Sequence, residues 1–314
     1  METNENHSKE LSSIEIPLFN SKIIKENPAL LEGYLSFLAS KNSEAVKEPS
    51  IFKDFTINSK AVELVFNLCE KLQQPLEVKY LTLEIFDRFL IKHVEDLYAE
   101  VQERNKQKKE SLKWHEVESR IQNQLILRIL SCMQLASKFN SHYQSLSPDK
   151  IKQTLQEFGY TYSFQSLLNS ELRILKTLDY RLNYLSPLVY METLLEILAY
   201  NNPSINVENL YITGIYLIDF TYICRHVIYQ RLYILATGET EIVTTPTKQD
   251  EFRTVKNDYL LLTTALIAAS SYFNDPRMYE QIMNQLNLIT WVPVEDIRDF
   301  SFILISTILG DNNY

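Results

Sequence analysis

Apolar residues recur at three- and four-residue spacing through most of the chain, the period of a helix with one buried face rather than of a strand. Pro28 sits where a first helical turn begins, and Leu30, Leu31, Tyr34, Leu35 and Leu38 follow at helical spacing. From Asn58, the positions Val62, Val65, Phe66, Cys69 and Leu72 trace one helical face. The next helix is expected over 77–93, with Leu81, Ile85, Phe86, Phe89 and Leu90 inward. Residues 121–139 are apolar almost all the way round, through Leu125, Ile126, Leu127, Ile129, Leu130, Met133 and Leu135. A helix without a polar face belongs at the centre of a bundle. Ser147-Pro148 opens another helix that Gly159 ends, and 166–178 forms a fifth.

Pro187 begins a second series, with helices expected at 187–200, 206–224, 226–236, 252–273, 275–287 and 293–309. One of these, from Leu260 to Tyr272, is again nearly all apolar. The pattern predicts an all-α chain of two five-helix bundles with an additional N-terminal helix. The expected divisions are a flexible tail over 1–27, a helix and linker over 28–49, a first domain over 50–184 and a second over 185–310. Leu127, Leu130 and Met133 should be buried in the first, and Leu262, Leu266 and Ala269 in the second. The duplication is read from architecture, without a direct sequence repeat.

Composition sharpens this picture. Only 5 glycines occur in 314 residues, too few for a fold rich in hairpin turns or phosphate loops. The net charge of −9 and the lack of a basic stripe argue against direct nucleic-acid binding, so any DNA association should be carried by partners. Cys69, Cys132 and Cys224 lie far apart in apolar stretches and read as buried thiols, neither a disulfide framework nor a metal pattern. The first residues are polar, unlike a secretory leader, and the longest uncharged apolar run, Tyr259 to Asn274, is too short to span a bilayer. Residues 95–113 carry mixed charge and read as a solvated helix or loop in preference to a basic import signal, and 238–250 as a polar linker. His7, His93, His115, His142 and His226 are scattered, and no nucleophile elbow, Walker loop or dinucleotide turn is present. No cofactor and no catalytic residue are therefore expected.

Three segments carry a family likeness. Phe86-Asp87-Arg88-Phe89-Leu90 resembles the second-helix signature of cyclins, and Leu135-Ala136-Ser137-Lys138-Phe139 the end of their central third helix. Ser170-Glu171-Leu172-Arg173-Ile174-Leu175, then Leu178-Asp179-Tyr180-Arg181-Leu182, resembles the fifth helix and its exit. Their order and placement agree, apart from an insertion between the second and third helices. Within the cyclins, Glu110-Ser111 with Trp114, the run from Cys132 to Lys138, the run from Tyr190 to Glu196, and Ile267-Ala268-Ala269-Ser270 are similar to the meiotic crossover-factor branch. The resemblance covers about 28–309. It implies tandem cyclin-box folds and a nuclear protein on meiotic chromosomes, with room for a cytoplasmic pool. Such a protein promotes crossover maturation in homologous recombination through protein contacts.

The resemblance also implies a kinase interface. In kinase-binding cyclins, the lysine ending the third helix and the glutamate of the fifth grip the kinase's regulatory helix. Lys138 and Glu171 occupy those positions, with Leu135, Phe139, Leu175, Tyr180 and Leu182 as the apolar surround. Charges set register and the patch supplies affinity. For this, both charges should face outward; a bland alternative is that they pair with each other, and the two can hold together. Kinase-binding cyclins continue with two acids and a proline pair where this chain reads Asn140-Ser141-His142-Tyr143-Gln144-Ser145. Substrate docking through an arginine–leucine motif is not expected, because Ile57, Ala61 and Leu64 stand where cell-cycle cyclins place methionine, leucine and tryptophan. Thr245, in Thr245-Pro246-Thr247-Lys248, is a candidate phosphorylation site, whereas Ser147 reads as a helix cap.

Two functional readings stay open. One is a meiotic cyclin-like subunit whose partners include a cyclin-dependent kinase and meiotic recombination proteins. The other is a kinase-independent scaffold recruiting clamp-loader (replication-factor) or ubiquitin-pathway proteins. A general transcription factor fits poorly with the acidic charge and the missing zinc ribbon.

Overall fold

The computed structural model describes residues 14–21, 26–47, 57–106, 114–141, 145–238 and 254–310. Among them are thirteen α-helices, one 3-10 turn and no strand, so the all-α expectation holds. The chain forms two compact units, residues 49–186 in one and residues 1–48 with 187–314 in the other. Helix α1 (Pro28–Lys47) thus belongs to the unit built mainly from the C-terminal half.

The first unit contains α2 (Ser59–Lys71), α3 (Leu76–Lys106), α4 (Trp114–Asn123), α5 (Leu125–Asn140), α6 (Pro148–Glu157) and α7 (Phe164–Thr177). Asn58 caps α2, its side chain accepting from the Ala61 amide at 2.9 Å, and Val62, Val65, Leu68 and Cys69 turn inward. Helix α3 runs well past the expected end at 93. No glycine or proline interrupts it, and Val94 and Val101, seven residues apart, keep its inner face buried while Asp96, Glu100 and Glu103 are exposed. The expected single helix over 121–139 is instead two, broken at Gln124, whose amide bonds back to Arg120 and Ile121. Helix α4 is accordingly an addition to the five-helix plan. Every residue of α5 from Ile126 to Ser137 except Arg128 is buried, with Leu127, Leu130 and Met133 all in the core as expected. Ser147 does cap α6 with Pro148 in the first turn.

The second unit continues with α8 (Pro187–Asn201), α9 (Val207–Ile223), α10 (Arg225–Thr237), α11 (Tyr259–Asn274), a 3-10 turn (Pro276–Met278), α12 (Tyr279–Thr290) and α13 (Val294–Leu309). Helix α11 is its centre, and Leu262, Leu266 and Ala269 are buried there. Four buried hydroxyls on it would be costly unpaired; Thr263, Thr264, Ser270 and Ser271 each donate to a carbonyl of the preceding turn at 2.5–2.8 Å. Gly214 on α9 permits a close approach: a methyl group there would lie 2.4 Å from the Met191 sulfur. Helix α11 starts at Tyr259 rather than near 252, because Asp258 caps it by accepting from the Leu261 amide. Helix α1 reinforces that cap: Asn42 donates to Asp258 at 2.8 Å and accepts from the Leu260 amide at 3.1 Å. Asn257 reaches the Ala45 carbonyl at 2.9 Å. Cys69 and Cys132 are buried as expected, but Cys224 sits half-buried at the corner between α9 and α10.

Candidate functional site

The candidate site lies where α5 and α7 of the first unit meet. The end of α5 is fixed from inside: Ser137 accepts from the Leu146 amide at 2.9 Å and Gln134 donates to the Leu146 carbonyl at 3.3 Å. Past Ser137 the helix emerges, leaving Lys138, Phe139 and Asn140 exposed. Ser163 caps α7 by accepting from the Ser166 amide, and Leu167, Ser170, Glu171 and Ile174 form its buried face.

Lys138 Nζ donates to Glu171 Oε1 at 2.5 Å. The expectation that both charges face outward is corrected here. Glu171 is only 7% exposed, because it lies on the same face as the core residues Leu167 and Ile174, while the lysine lies over it, half in solvent. Pairing between the two is therefore real, and the buried carboxylate is capped by a lysine that stays accessible. Leu135 is likewise corrected: at 6% exposure it is core beneath the site rather than part of the surface.

The exit from α7 is built by backbone. The Tyr180 amide bonds to the Leu175 carbonyl at 2.8 Å, and both Asp179 and Tyr180 adopt left-handed conformations, φ 50° and 59°. Two successive non-glycine residues in that region cost about 1 kcal/mol each or more. The result is a turn that leaves Tyr180 62% exposed, with Asp179 held 3.6 Å from Lys92. Phe139 is 57% exposed, and Leu175 and Leu182 are half-buried. The site is thus one ion pair with aromatic residues standing proud on α5 and on the α7 exit.

Sequence reasoning missed an extension of this surface. Phe164, Leu168 and Leu172 are all exposed, and their spacing of four places them along one side of α7. The i, i+4, i+8 apolar run was visible, but it reads equally as core. Residues 142–144 of the altered loop and Thr245 lie outside the described residues. Of the three positions named for substrate docking, Ala61 is buried and Ile57 and Leu64 half-buried. Among the described residues, no group of His, Cys, Asp or Glu could hold a metal ion, and no helix is long and apolar enough to cross a membrane.

An all-helical unit wound round a largely buried central helix, with a lysine near that helix's end meeting a glutamate on α7, is the cyclin class of regulatory fold. Residues 35–183 match the family model of the cyclin N-terminal domain. The mouse protein named cyclin N-terminal domain-containing protein 1 is 34% identical over 284 residues, covering 90% of this chain and 84% of that protein. Its human counterpart is 33% identical over 284 residues, covering 90% and 85%. The chain belongs to this family of cyclin-fold proteins.

Proposed function

We propose that this chain is a non-catalytic regulatory subunit that binds a cyclin-dependent kinase through the surface around Lys138 and Glu171, in the nucleus, during maturation of meiotic crossovers. The observation that carries the reading is the buried Glu171 carboxylate capped by an accessible lysine, beside exposed Phe139 and Tyr180. A monomeric protein gains nothing by leaving those rings in water, and one of them is held out by a strained turn. Aromatic anchors around a charge pair are the composition of an interface centre. The meiotic setting is supported by the sequence likeness of the inserted segment and of the α8 and α11 motifs, together with membership of the family.

The geometry changes how this is best tested. Lys138→Glu would place a second carboxylate against a buried one, so it strikes stability as well as binding. Tyr180→Ala removes an exposed ring and leaves the pair intact. Recombinant kinases of the cyclin-dependent class, assayed for binding to wild type and to Tyr180→Ala with thermal melting alongside, separate the two effects. The expected result is an unchanged melting temperature and an affinity about tenfold weaker or worse. Binding by no such kinase, with clamp-loader or ubiquitin-pathway proteins recovered from meiotic cells instead, would favour the scaffold.

A further inference from the structure

A second cationic cluster sits on the first unit, at the other end of α5. Arg128 precedes Lys138 by ten residues, roughly 15 Å along the helix axis. Its Nη1 donates to the Ser170 hydroxyl at 2.8 Å and its Nη2 to Gln124 Oε1 at 2.8 Å, while its Nε is buried without a partner. The guanidinium lies over the ring of Phe89, 5.8 Å from the centroid. One turn along α3, buried His93 stacks on that same ring at 5.0 Å and 16°. Arg173 stands exposed on α7 three residues after Ser170, which places it on the face that holds Arg128.

Among the described residues, no carboxylate is bonded to this group. Among the described residues, Arg128 is bonded only to neutral oxygens and Arg173 has no acidic partner. Elsewhere in an acidic chain cations find carboxylates readily, as Lys71 finds Glu157, Arg88 finds Glu84, and Arg298 finds Glu280 at 3.0 Å. Burial, then Arg173, then Arg128 push His93 down to about 4, so the local field is positive and uncompensated. Burial and Arg173 lower Arg128 as well. Two guanidinium groups, a neutral imidazole and an unsatisfied buried N–H describe a place prepared for an anion that the chain does not itself supply.

We infer that Arg128 and Arg173, with Phe89 and His93 as the floor, form a binding site for a phosphate monoester carried on a phosphorylated serine or threonine of a partner protein. A dianion matches two guanidinium charges where a single carboxylate would leave one over, and its three oxygens suit the fork geometry of arginine. Nucleic acid is the poorer match, since a backbone needs several such contacts and the chain carries a net charge of −9. This site is independent of whether a kinase binds at Lys138.

The test is a titration of the full-length chain, followed by NMR of its histidines, at constant ionic strength with chloride as the balancing anion. The probes are blocked phosphothreonine (N-acetyl, C-amide), blocked threonine and inorganic phosphate. The expected result is saturable binding of phosphothreonine, tighter than inorganic phosphate, with no response to blocked threonine. The His93 pKa should rise from about 4 as the bound phosphate, an anion throughout that range, opposes the field of the arginines. Arg173→Gln, an exposed substitution, should weaken binding about tenfold or more without moving the melting temperature. Arg277→Gln, an exposed arginine of the second unit, should change nothing. A His93 pKa that ignores the probe, or an affinity unchanged in Arg173→Gln, would overturn the site. Inorganic phosphate binding as tightly as phosphothreonine would overturn its assignment to phosphorylated side chains.

Discussion

The central helices α5 and α11 have the same length and share a Ser-x-Phe-Asn ending, Ser137-Lys138-Phe139-Asn140 and Ser271-Tyr272-Phe273-Asn274, yet the two ends differ in what they meet. In the first unit the lysine meets a buried carboxylate and the following phenylalanine stands in solvent. In the second, tyrosine replaces lysine and packs edge-on against Phe273 and Tyr279, each at 5.8 Å. Tyr279 in turn shares a 2.7 Å hydrogen bond with Ser301, and Asn274 closes the helix by bonding Thr213 and the Ser270 carbonyl at 2.8 Å. One helix end thus carries a charge with Phe139 57% exposed, and at the other Tyr272 and Phe273, 37% and 38% exposed, are held by ring contacts and neutral hydrogen bonds. On the function proposed here, the same scaffold would serve recognition at one helix end and packing at the other according to the residue at one position and what faces it.

If the two helices are equivalent as cores, truncating them should cost alike. Leu130→Ala and Leu266→Ala, each removing a side chain that is 0% exposed, should lose about 2–5 kcal/mol, read by hydrogen exchange in the helices of the same unit. A loss below about 1 kcal/mol in either would mean that its helix is not central.

Acid should separate the units. The folded-state pKa of His93 lies near 4, below its ordinary 6.5, so the unfolded chain binds more protons between those values. The stability that neutral His93 supports is therefore complete above pH 6.5, declines as pH falls through the window, and is gone below about 4. The expected loss is up to about 3 kcal/mol in the first unit, and His93→Gln should abolish the wild-type excess. Urea midpoints of both proteins from pH 7.5 to 4.5 measure it. Equal acid sensitivity in the variant would show that His93 is not the group responsible.

The smallest effect concerns two aromatic residues in left-handed turns, Tyr180 at φ 59° and Trp291 at φ 64°. Trp291 ends α12 and is 88% exposed, so its ring contributes little burial. Glycine at either position should stabilise by about 0.5–1 kcal/mol through relief of strain. Thermal melting should rise slightly in both Trp291→Gly and Tyr180→Gly, but only Tyr180→Gly should lose partner affinity. Loss of stability in both would mean that the rings pack more than their exposure indicates.

Much of this was legible in the chain. The missing polar face of 125–137 marked the central helix, and the periods around Val62 and Ile85 marked its neighbours. The family motif picks out Lys138 and Glu171 as the charges of a kinase interface, with their pairing to each other as the alternative. What escaped depends on long-range partners. The charge-rich stretch after His93 reads as a solvated helix or loop, yet Val101 is buried and the helix expected to end at 93 continues through it. The cap at Asp258 is completed by Asn42, 216 residues away, so neither the start of α11 nor the allegiance of α1 shows in local pattern. Burial of Glu171 depends on the register of α7, which the exposed apolar run Phe164, Leu168 and Leu172 does not disclose. The shared Ser-x-Phe-Asn ending is too short to be seen until the helices it closes are placed.

The sharpest test uses the matched pair at those endings. Kinase binding should be measured by calorimetry for wild type, Phe139→Ala and Phe273→Ala, with melting curves for all three. A recognition end in the first unit and a ring-packed end in the second predict that Phe139→Ala weakens binding by about tenfold or more with stability intact, and that Phe273→Ala leaves affinity unchanged. Equal affinity for wild type and Phe139→Ala, or a loss confined to Phe273→Ala, would contradict it.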